Sequence, residues 1–246
     1  MRTDPSLRLF AHHAARPEAE LDLARAALVL AEAEYPGLDV ARYLDQLDDL
    51  GRLARTRVTR GGDVSDVERL LHLIYVELGF SGNIEDYYDP RNSFLNDVLD
   101  RRLGIPLTLA LVVMEVARRA GLTVHGIGFP GHFLLRFDHD GDTFLVDPFE
   151  GCLLDNETLA ELAARHNGRA RVPDAHTLEP ASKLNTLIRM LNNLRGIYAT
   201  QEDDVRLRGV LERLEVLAPS RELRRQIEAL GGNQPPPPRS RPAPVH

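Results

Sequence analysis

The stretch RRLGIPLTLALVVMEVARRAG, running from Arg101 to Gly121, decides how this chain is read. Gly104 stops one helix, and Pro106 suits the first turn of the next, where its fixed φ fits and its missing N–H costs nothing. From Pro106 the segment is apolar on nearly every face until Arg118 and Arg119. A helix apolar all round has to be buried, so this one is expected to be central and the other elements to wrap it.

Working back towards the N-terminus, helical spacing of apolar residues predicts helices over Glu18 to Glu34, Val40 to Arg55 and Val64 to Leu78. Tyr35-Pro36-Gly37 ends the first, and Asp63 or Ser65 caps the third. Asp86 to Ser93 is turn-like and polar, with Ser93 placed to cap a short helix through Phe94, Leu95, Val98 and Leu99. His12-His13 lies in a polar N-terminal stretch without carboxylate or cysteine partners and is expected in solvent. Beyond Gly121 the period changes to two. His125 to Phe137 and Thr143 to Phe149 read as strands, joined by Asp138-His-Asp-Gly-Asp142. Helices are expected again beyond Leu159, then from about Ala181 to Ala199, Asp203 to Leu217 and Glu222 to Leu230, with Pro173 to Pro180 as a connector. Gly231 onward, containing Pro235 to Pro238, is a polyproline-prone tail expected to be disordered.

Composition narrows the function classes. In 246 residues, 30 Lys and Arg are scattered among 37 Asp and Glu, for a net charge of -7, so nucleic acid is not an expected partner. No apolar run reaches the roughly 18 residues of a membrane span, and the first twenty residues lack the apolar core of a secretory signal, so the expected location is the cytoplasm and no membrane partner is expected. The single cysteine, Cys152, excludes an internal disulfide and any multi-cysteine metal site.

Asp140-Gly141 is a strong two-residue hairpin signal that pairs His139 with Asp142 and sets Asp147 opposite Leu134. Leu134 shares a face with His132, so His132 and Asp147 become same-face diagonal neighbours. A slip of one residue would put them on opposite faces. An imidazole held by a neighbouring carboxylate is oriented and made more basic, which general-base chemistry requires. A bland alternative is a polar pair tying two strands, with Asp147-Pro148 as a strand-ending turn.

The run DYYDPRNSFLNDVLDRRLGIPLTLALVVMEVARRAGL, followed by GFPGHFLLRF and LVDPFEG, resembles the SirB-type family of transglutaminase-like proteins. The resemblance spans roughly Leu21 to Leu217 and is densest between Tyr87 and Gly151. In that superfamily a cysteine at the start of the buried helix, a histidine on one strand and an aspartate on the next form a papain-like triad. The resemblance places the histidine at His132 and the aspartate at Asp147. The cysteine position falls in Gly104-Ile-Pro-Leu-Thr108, which holds no thiol.

Two side chains could stand in for the missing nucleophile. A helix start can depress a cysteine pKa to about 3.5 to 7.5, but the hydroxyl of Thr108 gains far too little from the same field. An ordinary helix-start threonine is the favoured reading. Cys152 lies five residues beyond Asp147, roughly 16 Å if extended, and comes after the histidine and aspartate, contrary to the superfamily order. A structural cysteine is favoured there. Asn92, Asn96, Arg102 and Pro106, just before or at the buried helix, are candidates to line a ligand pocket. For the asparagines, satisfying nearby backbone groups is the favoured role. Asp138, Asp140 and Asp142 are too closely spaced for a twelve-residue calcium loop and read as a solvated hairpin tip. No metal site and no cofactor are expected.

The expected fold is α+β, a papain or transglutaminase-like core of N-terminal helices, a buried central helix and a small antiparallel sheet, followed by a C-terminal helical hairpin. The expected division is residues 1–178 for the main domain, 179–230 for helices that resemble the tetratricopeptide-like region of SirB-type proteins, and 231–246 for the tail. The leading functional expectation is a non-peptidase protein that binds or regulates a protein partner or small-molecule ligand. The rivals are a hydrolase or acyltransferase built on His132 and Asp147, and a purely structural pair.

Overall fold

A computed structural model describes residues 4–59, 63–129, 131–167 and 177–231. Its ten α-helices and six short strands among these residues form the expected α+β arrangement. The central element is α6 (Pro106–Ala120), with Pro106 at N1, Gly121 in the left-handed region at its C-terminus (φ 94°), and twelve buried residues, among them Leu109, Leu111, Val113 and Val116. It packs against α3 (Val40–Arg55), α5 (Leu95–Arg101), α8 (Lys183–Thr200) and strands β3 (Val124–Ile127) and β4 (Leu134–His139), so its apolar surface is covered on every side.

The N-terminal half contains one more helix than periodicity predicts. Asp4 caps α1 (Pro5–Ala14), which buries Phe10 and Ala14. It lies in the stretch read as polar, and the His pair sits on it, His12 exposed and His13 partly covered. The helix expected from Glu18 starts instead at Leu23, because the Asp22 side chain accepts the Arg25 N–H and so caps α2 (Leu23–Ala31). Asp63 caps α4 (Val64–Leu71), which continues as a single π turn over His72–Glu77. The cap expected at Ser93 is absent. Asp89 accepts the Arg91 N–H and nucleates a 3₁₀ turn over Pro90–Ser93, leaving Phe94 in extended conformation as the uncapped start of α5. The Ser93 hydroxyl is buried without a partner.

Two short parallel strands, β1 (Ser81–Gly82) and β2 (Leu103–Gly104), pair just ahead of α6. The main sheet is antiparallel in the order β3 (Val124–Ile127), β4 (Leu134–His139), β5 (Asp142–Asp147), β6 (Cys152–Leu154). The run expected as one strand from His125 to Phe137 is two strands that pair with each other, Val124 opposite Phe137. The β4–β5 register is the expected one: His139 pairs with Asp142, and Asp140 (φ 46°) and Gly141 (φ 93°) make the turn.

After α7 (Asn156–Asn167), helices α8, α9 (Asp204–Leu217) and α10 (Arg221–Ala229) form the C-terminal array. They do not stand apart. Leu187, Met190, Leu194, Tyr198, Leu211 and Leu214 belong to the same buried cluster as Phe10, Leu28 and Leu111. The proline-rich stretch from residue 232 and residues 173–176 of the expected connector lie outside the described residues.

Candidate functional site: a histidine–aspartate pair without a thiol

The register of the β4–β5 hairpin brings His132 and Asp147 together. His132 immediately precedes β4, Asp147 closes β5, and the imidazole Nε2 lies 2.9 Å from Asp147 Oδ2. Both side chains are largely covered, at 15% and 6% exposure. The second carboxylate oxygen accepts the Phe149 N–H at 2.8 Å and the Glu150 N–H at 3.4 Å, so Asp147 also caps the turn that follows it. Both readings of Asp147 made from the sequence, pair and turn, therefore describe one residue.

Burial by itself raises the Asp147 pKa. The hydrogen bond and charge of His132 and the two backbone N–H groups outweigh it, and the carboxyl is held below its ordinary range. A carboxyl depressed on folding contributes stability above its unfolded pKa of about 3.9 and loses it as pH falls through the folded value. The Asp147→Asn protein is accordingly expected to be less stable than wild type at neutral pH, with the gap closing below about pH 4. Urea midpoints measured across that range check this, and a gap independent of pH would contradict it.

Residues far apart in sequence hold the pair in place. Arg189 of α8 donates to the carbonyl of His132 at 2.7 Å and of Phe129 at 3.3 Å, while its guanidinium lies over the Phe133 ring at 5.5 Å. Tyr75, in the π turn, donates to the Pro148 carbonyl at 2.6 Å, and burial pushes its phenol far up in pKa. Phe149 packs so closely over Gly82 that a Cβ there would meet its ring at 2.5 Å, and its ring meets Tyr87 edge-on at 5.9 Å. Because β1 pairs with β2 directly before α6, these contacts tie the end of β5 to the start of the central helix. Sequence reasoning missed Tyr75, Phe149 and Arg189, since each acts on a partner brought near only by the fold.

The other candidates fall into structural positions. The Thr108 hydroxyl, fully buried, donates to the Asn92 carbonyl at 2.7 Å and accepts the Ile105 N–H at 3.2 Å, which is the helix-start role. The Asn92 amide donates to the Asp86 and Tyr87 carbonyls, and its oxygen accepts from Asn83. Asn96 is buried with Oδ1 unpartnered. Arg102 is exposed, ends α5 in the left-handed region and donates to the Leu78 carbonyl. Pro106 is buried as N1 of α6. Asp138 binds Arg136 and Thr143, and Asp140 and Asp142 are exposed at the hairpin tip. Among the described residues no three His, Cys, Asp or Glu side chains group as metal ligands.

Cys152 pairs with Asp147 across β5 and β6 and is exposed. Burial of part of the thiol, then the charges of Asp147 and Glu150, push its pKa up. Since the thiolate is the nucleophile, this environment disarms it. Iodoacetamide is expected to alkylate Cys152 more slowly at pH 7 than a free cysteine in a peptide, with the rate rising only in the alkaline range. Rapid labelling at neutral pH, lost in the His132→Ala protein, would show the thiol coupled to the imidazole. What the arrangement offers chemically is an imidazole oriented through Nε2, with Nδ1 on its other side for a further partner.

Comparison with known proteins places the chain in a family. Residues 41–192 match the model of the transglutaminase-like superfamily. The chain is 39% identical over 209 residues to a UPF0162 protein of Xylella fastidiosa, covering 81% of this chain and 73% of that one. It is 34% identical over 89 residues to human F-box only protein 21, covering 36% of this chain and 14% of that one. Among solved structures, menin aligns with a TM-score of 0.44 at 14% identity, over 92% of this chain and 60% of menin. With the family model spanning most of the chain and the UPF0162 relative aligned across four-fifths of it, this chain belongs to the transglutaminase-like superfamily.

Proposed function

We propose that this protein is a non-peptidase transglutaminase-like binding or regulatory module, which recognises a protein partner or small ligand through the groove at His132 and Asp147 and through its C-terminal helices. The observation that carries this reading is the absence of a usable nucleophile beside an intact pair. The start of α6 holds Thr108 with its hydroxyl committed to Asn92, and the one thiol is held towards its neutral form by partial burial and then by the charges of Asp147 and Glu150. A carboxylate-oriented imidazole without an attacking group is a hydrogen-bonding site. The exposed Tyr88 and Ile84 near the Tyr87–Phe149 contact supply apolar surface for a partner. No described helix is long and apolar enough to cross a membrane.

A second reading is a hydrolase or acyltransferase in which His132 serves as base, Asp147 orients it, and water attacks. The 2.9 Å contact favours it, because such orientation is what base catalysis requires. The test of the binding reading is a pull-down with wild type, His132→Ala and Asp147→Ala proteins, read by mass spectrometry for proteins and small molecules. Loss of the same component from both variants is expected. Identical recovery from all three would remove the pair from any binding role.

A further inference from the structure

A cavity of about 1170 Å³ lies between α1, the end of α2, α8, α9 and α10, and shares no residue with the His132–Asp147 site. Its walls are mostly apolar, formed by Leu30, Phe94, Leu194, Val210 and Ile227 with the Tyr198 ring. Most ionic groups around it are matched. Glu34 accepts from Arg206 at 2.9 Å and from the Tyr198 hydroxyl at 3.2 Å. Glu212 accepts from Arg208 at 2.9 Å, and Glu215 accepts from Arg224 at 2.6 Å.

Arg213 differs. It is 2% exposed, donates to the Gly209 carbonyl at 2.9 Å and to the Ser6 hydroxyl at 2.7 Å, and its Nε has no partner. The carboxylate paired with it, Asp4, is 3.6 Å away and half exposed. A guanidinium keeps its charge in a protein, and with Asp4 at the edge of ion-pair distance the buried Nε is left for a further acceptor. The carboxylates of Glu32, Glu34, Glu212 and Glu215 around the same cavity disfavour a multiply charged group such as a phosphate.

We infer that this cavity is a binding site for a small amphiphile carrying one carboxylate, its head on Arg213 and its apolar body among Leu30, Phe94, Leu194 and Val210. A concave, largely apolar lining with a few placed polar groups is the usual build of a small-molecule site. Gly209 provides the control. It lines the cavity, and a Cβ there would meet only Arg213 Nη1, at an ordinary 3.6 Å. A Gly209→Leu substitution therefore sets a branched side chain beside the Arg213 guanidinium, where the head group would sit, while replacing a mid-helix glycine with a better helix former.

The experiment is isothermal titration of the full chain with dodecanoate, methyl dodecanoate, dodecyl phosphate and an apolar tetrapeptide with a free C-terminal carboxylate. Dodecanoate is expected to bind saturably at one site per chain, with the ester and the phosphate at least about tenfold weaker. Gly209→Leu is expected to abolish binding. Arg213→Gln is expected to weaken dodecanoate about tenfold while leaving the ester unchanged, and Gly209→Leu decides the matter should that variant not fold. No saturable binding of dodecanoate, equal binding of acid and ester, binding that survives Gly209→Leu, or preference for the peptide would each overturn the proposal.

Discussion

The Glu34→Ala protein is expected to lose about 3 kcal/mol of stability, which for a chain of this size lowers Tm by roughly 6 to 12 °C. Glu34 lies just beyond α2, at 4% side-chain exposure. Its oxygens accept from Arg206 Nε at 3.0 and 2.9 Å and from the Tyr198 hydroxyl at 3.2 Å. Arg206 belongs to the first turn of α9 and Tyr198 to α8, so one carboxylate ties the N-terminal helices to the C-terminal array. Removing one partner of a buried ion pair leaves the other desolvated and uncompensated. Arg206 keeps Asp203, 2.7 Å away, which holds the expected loss at the lower end of the range for such pairs. Scanning calorimetry reads the effect. A variant melting within about 2 °C of wild type would mean that α8 and α9 are not stabilised through this contact.

Gly151→Ala is expected to cost about 3 kcal/mol, the sum of a left-handed alanine and an overpacked contact. Gly151 has φ 70°, and a Cβ there would meet the Tyr75 ring at 2.5 Å. Tyr75 cannot simply withdraw, because its hydroxyl is bonded to the Pro148 carbonyl. The strain is expected to pass to the turn whose Phe149 and Glu150 N–H groups hold Asp147, so the imidazole resonances of His132 should move as well. Gly141→Ala is the comparison, with φ 93° and nothing near its Cβ. It should carry only the backbone cost and leave His132 undisturbed. Equal losses for the two variants, measured by denaturant midpoints, would contradict the role given to Tyr75.

What could be read from the chain in advance was whatever depends on local order. The all-round apolar character of Leu109 to Val116 marks the buried helix, and Asp140-Gly141 sets the hairpin register that aligns His132 with Asp147. Features that depend on distant partners were not legible. Phe129 and Phe133 are buried and apolar like strand residues, yet Gly131 takes φ 65° and the run folds back on itself, so period alone reads one strand where there are two. Helix α1 is stabilised by packing against α2 and α9, although Asp4-Pro5 marks its start locally. The roles of Tyr75 and Arg189 need the π turn and α8 to arrive beside the β5 turn, and the cavity at Arg213 needs α1 to exist. Thr108 is a case where residue type was informative: a threonine three residues into a helix is a capping group first, and its hydrogen bonds leave the hydroxyl no other task.

The proposed binding role leaves the His132–Asp147 pair with no nucleophile to activate. Hydrolysis of an activated acyl ester, followed with wild type and the His132→Ala protein over neutral to mildly alkaline pH, tests it most directly. Both proteins are expected to show the same background rate, whereas turnover by wild type that vanishes in His132→Ala would contradict that role.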